Sequence, residues 1–493
     1  MIKQREENCN LKRKSIEKIM EKDEFYANIV GNICKPDVGT VYLSGHPPEQ
    51  YQLDFLKDSG VFFSLMNSRG DYIGKSFQKD GHLLVIGPPG SSKTSAIAIP
   101  TLGAFDGRII ALDIKGGSNG LEGTWYELNR HMQKKKRLKV FNPMREECSH
   151  FDPFGLIKSD SRDNLPNNIR ELALSILPIP PEISENRVWV KLAQNLLTAA
   201  LLFYFGQGYS FNKTMTAIQS KSAKSLVDEI MGYELKDTDI QEAPDGMMLA
   251  KMYASKLEGL KKEQMAGVSM DFGEFVALST DSYIKSSFNV DGVEDIIRWE
   301  DFLSDENEYD VMLQFPEHML EQWEPMVTLM INQLIKTLER RDDKHSCKGR
   351  KLKPVLVMLD EFPRLGTCHA IKNGLATLRS RGVTFALFIQ NISQLDERYG
   401  KDGRCDILSC CTYKAILGVT EPDDQEYFSR LIGTSRYGQR NIGVSYGLDR
   451  EPYGYSAGIN ESRERLIQPE ELGRLEHDYI LLNFPTNKSG VDA

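Results

Sequence analysis

The chain has 493 residues, 40% of them hydrophobic and 27% charged, with a formal net charge of −9. That length exceeds one ordinary core and implies two domains or a domain with an insertion, and the composition is that of a globular protein. The acidic balance excludes a surface coated in positive charge for duplex DNA, although a local basic channel stays open because binding depends on where the charge sits. The eight cysteines form no Cys-x-x-Cys pair and read as free thiols of a reducing compartment. Met1 to Lys22 is charged throughout, which argues against a secretory signal. No run is read as approaching the roughly 18 apolar residues of a membrane helix.

In chain order, Ile16, Ile19 and Met20 fall at helical spacing and predict a short amphipathic helix within residues 1–40. Gly60-Val61-Phe62-Phe63 and Tyr72-Ile73-Gly74 predict strands and hairpins leading into a nucleotide domain. Leu83 to Ile86 is an apolar strand that breaks at Gly87 into Gly87-Pro88-Pro89-Gly90-Ser91-Ser92-Lys93-Thr94, and a helix of small and apolar residues runs from Ser95 to Ala104. This is the layout of a P-loop. Successive backbone N–H groups wrap a phosphate chain, the helix start adds partial positive charge, Lys93 reaches the terminal phosphates and the Thr94 hydroxyl holds Mg²⁺. The pattern asks for glycine where Ser92 stands. Serine suffices there only if the position needs no positive φ and its Cβ clears the phosphates.

Arg108 to Asp113 is a second buried-type strand. Strand, helix and strand make a βαβ unit and hence a parallel sheet, whose ligands bind beyond the C-terminal strand ends; Asp113 and Lys115 share that rim with Lys93. A helix is expected near Trp125 to Lys134, a strand at Leu138 to Phe141 and a turn at Phe151-Asp152-Pro153-Phe154. From about 165 to 305 helical periodicity replaces strand runs, as in Val188 to Phe205 and Met247 to Leu260. Asp310 to Phe315 returns to strand character. The helix expected over Pro325 to Arg341 turns Met326, Leu329, Ile331, Leu334, Ile335 and Leu338 inward, and Arg340 to Lys353 reads as a solvated loop.

Pro354 to Leu359 is an apolar strand that ends in Asp360-Glu361. Such a strand running into two carboxylates costs desolvation energy unless a cation is near. Read with the P-loop it is a Walker B signal: Asp360 holds Mg²⁺ through its water shell and Glu361 orients and activates the attacking water. Val383 to Ile389 is another buried strand, and Gln390 at its end either senses the γ-phosphate or caps a turn. Tyr413 to Gly418 is a strand, Pro422 to Leu431 a helix, Thr434 to Glu461 an exposed loop or hairpin, Pro469 to Leu475 a short helix and Tyr479 to Leu482 the last strand. The expected fold class is α/β: a P-loop NTPase domain, mainly parallel in its sheet, over residues 41–164 and 306–493, an inserted all-α domain over 165–305, and an N-terminal helical segment over 1–40.

These stretches together resemble the TraG-like class of type IV secretion coupling proteins, the DNA-transfer ATPases of conjugation systems. The resemblance runs from about residue 80 to 485. It rests on Gly87 to Thr94, Ile99-Pro100-Thr101-Leu102, Leu112 to Gly116, Val140-Phe141-Asn142-Pro143, Asp152-Pro153-Phe154, Asp360-Glu361-Phe362-Pro363-Arg364-Leu365-Gly366, Arg381-Gly382 into Gln390, Ser393-Gln394-Leu395 with Tyr399-Gly400, and Leu431-Ile432-Gly433. It implies a RecA-like motor with an inserted all-α domain, ATP and Mg²⁺ as cofactors, hexamers with ATP at subunit interfaces, and single-stranded DNA carrying a relaxase as cargo. Gly87 to Ser95 would bind the nucleotide, and Thr94 and Asp360 the metal. Lys93, Glu361, Gln390 and Arg379 would act on the phosphates, Arg379 from the neighbouring subunit and Arg364 in a local structural role. Ser92 departs from the family pattern. So does the lack of the N-terminal membrane helices many members carry, so a cytoplasmic chain recruited to the inner face of the membrane by a membrane-anchored partner and type IV channel components is expected. Two other functions fit the same residues: an FtsK-like DNA translocase outside secretion, and a nucleotide-bound cargo adaptor that hydrolyses little.

Overall fold

The structure, a computed structural model, describes residues 52–54, 59–65, 71–76, 79–114, 137–177, 187–235, 246–261, 263–269, 272, 281–343, 352–446, 452–465, 467–475 and 481–483. The helices expected within 1–40 and near Trp125 to Lys134, and Lys115, lie outside the described residues.

Three short strands, β1 (Gln52–Asp54), β2 (Gly60–Leu65) and β3 (Asp71–Ser76), form an antiparallel sheet in the order β1-β3-β2. The strands that follow are β4 (Leu83–Ile86), β5 (Arg108–Asp113), β6 (Arg137–Phe141), β7 (His150–Phe151), β8 (Ile296–Ile297), β9 (Tyr309–Gln314), β10 (Val355–Leu359), β11 (Val383–Ile389), β12 (Tyr413–Ile416), β13 (Thr434–Tyr446), β14 (Pro452–Arg465) and β15 (Leu481–Asn483). Eight of them build the main sheet in the order β15-β12-β4-β11-β10-β5-β9-β6. Every pairing is parallel except that of β12 with the edge strand β15. The central strands β4, β5, β9 and β10 are buried along their whole length. That is what a parallel sheet covered on both faces requires, and why these strands read as unbroken apolar runs.

Alternate side chains serve opposite faces. Leu84 and Ile86 join a large core with the helical part of the chain, whereas Leu83 and Val85 pack with Val61, Phe63 and Ile73 of the small sheet and with Ile97, Ala98 and Leu102 of the helix after the P-loop. His82, fully buried at the start of β4, ties that strand to β11. Its Nε2 donates to the Leu375 carbonyl at 2.8 Å and its Nδ1 accepts the Phe385 N–H at 3.1 Å. Burial pushes this imidazole down to about 4.

Between β7 and β8 the chain makes a long excursion in which the described elements are helical, among them Leu165–Ile176, Arg187–Gly206, Phe211–Gln219, Ala223–Gly232 and Gly246–Glu258. The excursion closes where His150 pairs with Ile296 and Phe151 with Ile297. Among the described residues one helix, 188–206, is long and apolar enough by length and composition alone to cross a membrane, with a mean hydropathy of 1.4 over an 18-residue window, but 67% of that window is buried inside the protein. Its apolar character is accounted for by its central place in the core, where Leu196, Leu197, Ala200, Leu201 and Leu202 are inaccessible to solvent.

Two further details differ from the sequence reading. The helix expected to start at Pro325 is Leu320–Leu338, with the proline inside it. The extra first turn buries Leu320 and Trp323, which offsets the hydrogen bond the proline cannot donate. The basic run after it is not all solvated. Arg341 is 2% exposed and donates to the backbone carbonyls of Phe302, Lys353 (2.8 Å) and Arg381 (3.3 Å), and burial lowers its guanidinium to about 10. The stretch read as a loop or hairpin is a hairpin, with β13 and β14 paired antiparallel from Thr434↔Arg465 outward.

Candidate nucleotide-binding site

The loop from Gly87 to Thr94 leaves the C-terminal end of β4 and enters a helix whose first turn, Thr94–Ala98, is π-helical before Ile99–Ala104 continues as α-helix. Wide turns of this kind concentrate at functional sites. A Cβ at position 87 would come within 2.5 Å of the Ser91 hydroxyl and 2.9 Å of the Leu417 carbonyl oxygen, so only glycine fits at Gly87. Ser91 N–H donates to the Pro88 carbonyl at 3.2 Å and Ala96 N–H to that of Ser92 at 2.8 Å, which folds the loop into a cup. Ser92 has φ of 62°. The condition under which serine would replace glycine without cost is therefore not met: the position requires the left-handed region, and Ser92 occupies it under strain. Lys93 is 8% exposed, and its ammonium donates into the cup, to the carbonyls of Gly87 (2.5 Å) and Pro88 (3.0 Å).

Strand order decides what stands beside this loop. β11 lies between β4 and β10, so the ends of the P-loop strand and the Asp360-Glu361 strand are about 10 Å apart, two strand spacings, with Gln390 between them. Ile86 is level with Ile389, and Leu359 with Leu387; Gly87, Gln390, Asp360 and Glu361 thus reach the same rim. Asp360 and Glu361 are 3% and 8% exposed. The Asp360 carboxylate accepts the Glu361 N–H at 3.1 Å, and Gln390 Nε2 donates to Glu361 Oε2 at 2.7 Å. Glu361 is the second non-glycine residue described at positive φ, 53°. Strained backbone gathers where the surroundings over-determine a conformation, commonly at functional sites.

The rest of the Asp360 to Gly366 string is explained by packing. Phe362 stacks on Tyr399, ring centroids 5.6 Å apart, and the Tyr399 hydroxyl accepts the Cys368 N–H at 3.1 Å. Gly366, at φ of 71°, backs onto Glu324 so closely that a Cβ would overlap its carboxylate. Only Arg364 of the short 3₁₀ turn Phe362–Leu365 faces outward. Its Nε lies 3.4 Å from Glu361 Oε2, and its Nη1 bonds the Glu317 carboxylate beyond β9. Sequence reasoning missed Glu317, 47 residues away, because no local pattern links it to Arg364. It also missed Gln314, whose Nε2 donates to the buried Asp113 carboxylate at 3.2 Å on the same rim.

Arg379 and Arg381 stand apart from this group. They form a turn before β11, at the opposite end of a seven-residue strand from Gln390 and so about 20 Å from the rim. Arg381 donates to the Arg341 carbonyl while Arg341 donates to that of Arg381, so its guanidinium is committed to the turn. Arg379 is exposed.

The residues present fit a nucleoside triphosphate with its magnesium ion. The loop offers consecutive N–H groups and a lysine, and the Ser91 hydroxyl is buried with no hydrogen-bond partner among the described residues. Thr94 and the nearly buried Asp360 supply the oxygen donors that a hard cation prefers. The side chain of Ser95 is outside the described set.

The sequence profile of the family described as Type IV secretory system Conjugative DNA transfer matches residues 56–489. Among curated proteins, the chain is 24% identical over 436 residues to Protein VirD4 of Rhizobium radiobacter, covering 83% of this chain and 55% of that protein. It is 23% identical over 441 residues to Conjugal transfer protein TraG of Escherichia coli, covering 83% and 66%. The chain thus spans little more than half the length of the VirD4 protein it matches. Among solved structures, the unbound bacterial conjugative coupling protein TrwBdeltaN70 superposes with a TM-score of 0.57 at 16% identity, covering 82% of both chains. The plasmid coupling protein TrwB in complex with ADP and Mg²⁺ gives 0.55 at 16% identity, covering 83% of both. At that identity the likeness speaks for the fold, which is the expected RecA-like α/β fold.

Proposed function

The chain belongs to the type IV secretory system conjugative DNA transfer family, and on that premise we propose that it is an ATP-hydrolysing coupling protein that delivers single-stranded DNA with its attached relaxase to a secretion channel. The observation that carries the reading is the meeting of the Gly87–Thr94 loop, Asp360, Glu361 and Gln390 on one rim of a parallel sheet. Solved TrwB structures hold ADP with Mg²⁺ and non-hydrolysable ATP and GTP analogues, which supports the same ligand class here.

On this reading the loop N–H groups receive the phosphates, and the Lys93 ammonium leaves the carbonyls of Gly87 and Pro88 for the phosphate oxygens. Thr94 and Asp360 would hold the magnesium ion, which would supply positive charge to the terminal phosphates. Glu361 takes a proton from the attacking water, while Gln390 ties that carboxylate to the end of β11. Arg379 is too far from its own rim to act there and serves the site of a neighbouring subunit in a homo-hexamer. The helices between β7 and β8, counted with their flanks as an all-α domain over 165–305, receive cargo. A membrane-anchored partner brings the chain to the inner face of the membrane and to the channel.

ATPase measurement on the purified chain, with and without single-stranded DNA and beside Lys93→Ala, tests the proposal. Hydrolysis stimulated by DNA and abolished in the variant is expected. Absent hydrolysis, or a rate indifferent to Lys93, would overturn it.

A further inference from the structure

We propose that Arg364 is a positioning residue for Glu361, itself held by Glu317, so that the turn after β9 controls the carboxylate that activates water. The inference rests on the ATPase reading above and adds residues that reading does not need.

Glu361 is an unusual residue to find at φ of 53°. A side chain on a left-handed backbone points where few rotamers are compatible with its neighbours, so its direction must be fixed by contacts. Two contacts converge on the same oxygen, Oε2: Gln390 Nε2 at 2.7 Å and Arg364 Nε at 3.4 Å. Gln390 is a neutral donor from β11. Arg364 is the cationic one, and it comes from the turn that Glu361 itself begins.

The guanidinium is used on two edges. Nε faces Glu361 and Nη1 faces Glu317, which lies in the 3₁₀ turn Glu317–Met319 just past the end of β9. A planar guanidinium presents donors on two edges and so faces the two carboxylates from fixed directions, a geometry that the flexible point charge of lysine does not reproduce. Stability does not account for the arrangement. The side chains of Arg364 and Glu317 are 41% and 62% exposed, and exposed ion pairs contribute little. The turn itself is held by Phe362, Pro363 and Leu365, all buried. What the bridge does is link Glu361, just past the end of β10, to the end of β9, two strands away across β5. That end leads directly into the helix Leu320–Leu338, which packs against the helix Leu165–Ile176 of the excursion.

The experiment is a double-mutant cycle on the full chain, read as kcat, KM for ATP and equilibrium ATP affinity. Arg364→Ala should lower kcat about 10-fold, since small misplacements of a reacting group are costly, with KM, affinity and melting temperature near wild type. Glu317→Gln, a surface change that leaves folding intact, should lower kcat about threefold in the wild-type background and have no further effect in the Arg364→Ala background. Arg364→Lys should recover only part of the loss seen in Arg364→Ala, because the ammonium keeps the charge but not the fixed two-edged geometry of the guanidinium. If kcat of Arg364→Ala stays within about twofold of wild type, or falls only together with ATP affinity and melting temperature, the positioning role is wrong. If Glu317→Gln has the same effect in both backgrounds, the link through Arg364 is wrong. A wild-type chain that hydrolyses no ATP overturns the functional reading and this inference together, whereas an active wild type with an unaffected Arg364→Ala overturns this inference alone.

Discussion

Ser92→Gly should improve nucleotide binding, because the cup of the P-loop requires φ of 62° at position 92, a conformation that serine disfavours. An L-residue in the left-handed region is disfavoured by roughly 1–2 kcal/mol. Glycine removes that cost but loses about 0.5–1 kcal/mol more backbone entropy on ordering. The net gain is about 0.5–1 kcal/mol, which bears on how often the free loop has the cup shape that phosphate needs. Affinity scales with that population, so binding should tighten about two- to fivefold. Ser92→Ala keeps the strain and should bind within about twofold of wild type. Ser92→Val places a β-branched residue at positive φ, a conformation it hardly tolerates, and should weaken binding at least about fivefold. Titration of each folded variant with a fluorescent ATP analogue and Mg²⁺ gives the order. Valine binding as tightly as serine, or glycine binding more weakly, would refute the claim that the backbone at this position limits the site.

Glu361→Gln should bind ATP within about twofold of wild type and turn it over at least about 100-fold more slowly, since the amide keeps the hydrogen bond of Gln390 in reach but cannot accept the proton of water; turnover near wild type in a rapid-quench assay would remove Glu361 from that role. His82 predicts a loss of stability in acid. Its folded pKa of about 4 lies below the unfolded value, so its contribution is complete above about pH 6.5 and is lost as pH falls from there towards 4. About 2 kcal/mol should go between pH 7 and pH 5. Urea unfolding of wild type and His82→Gln at the two pH values should show a smaller difference in the variant; equal differences would exclude His82 as the titrating group. Arg379→Ala should bind ATP normally and hydrolyse it poorly, and mixing it with Lys93→Ala subunits should restore part of the activity, because mixed interfaces pair an intact P-loop with an intact arginine. Joint rings that show no recovery would rule out action from the neighbouring subunit.

Much of the candidate nucleotide site was legible in the sequence because its parts are local. A phosphate cup is made of consecutive N–H groups, so Gly87 to Thr94 announces itself, and an apolar strand ending in Asp360-Glu361 is visible within eight residues. The rule that parallel strands bind ligands at their C-terminal ends then put Lys93, Asp360, Glu361 and Gln390 on one rim, where the structure has them. The same rule, read at the other end of β11, separates Arg379 from that rim.

Tertiary structure alone decided the rest, since it depends on which distant segments meet. That β11 rather than β5 separates the two motif strands is a matter of non-local pairing and sets the contact of Gln390 with Glu361. The left-handed conformations of Ser92 and Glu361 are imposed by their surroundings, against the preference of both residue types. Arg341 looks solvated by its neighbours in sequence and is buried, because carbonyls from Phe302, Lys353 and Arg381 satisfy its donors. Periodicity likewise identifies 188–206 as an apolar helix but not its surroundings; the packing of the helical excursion does that. Arg364 and Glu317 are 47 residues apart, and only folding brings that carboxylate to the arginine beside Glu361.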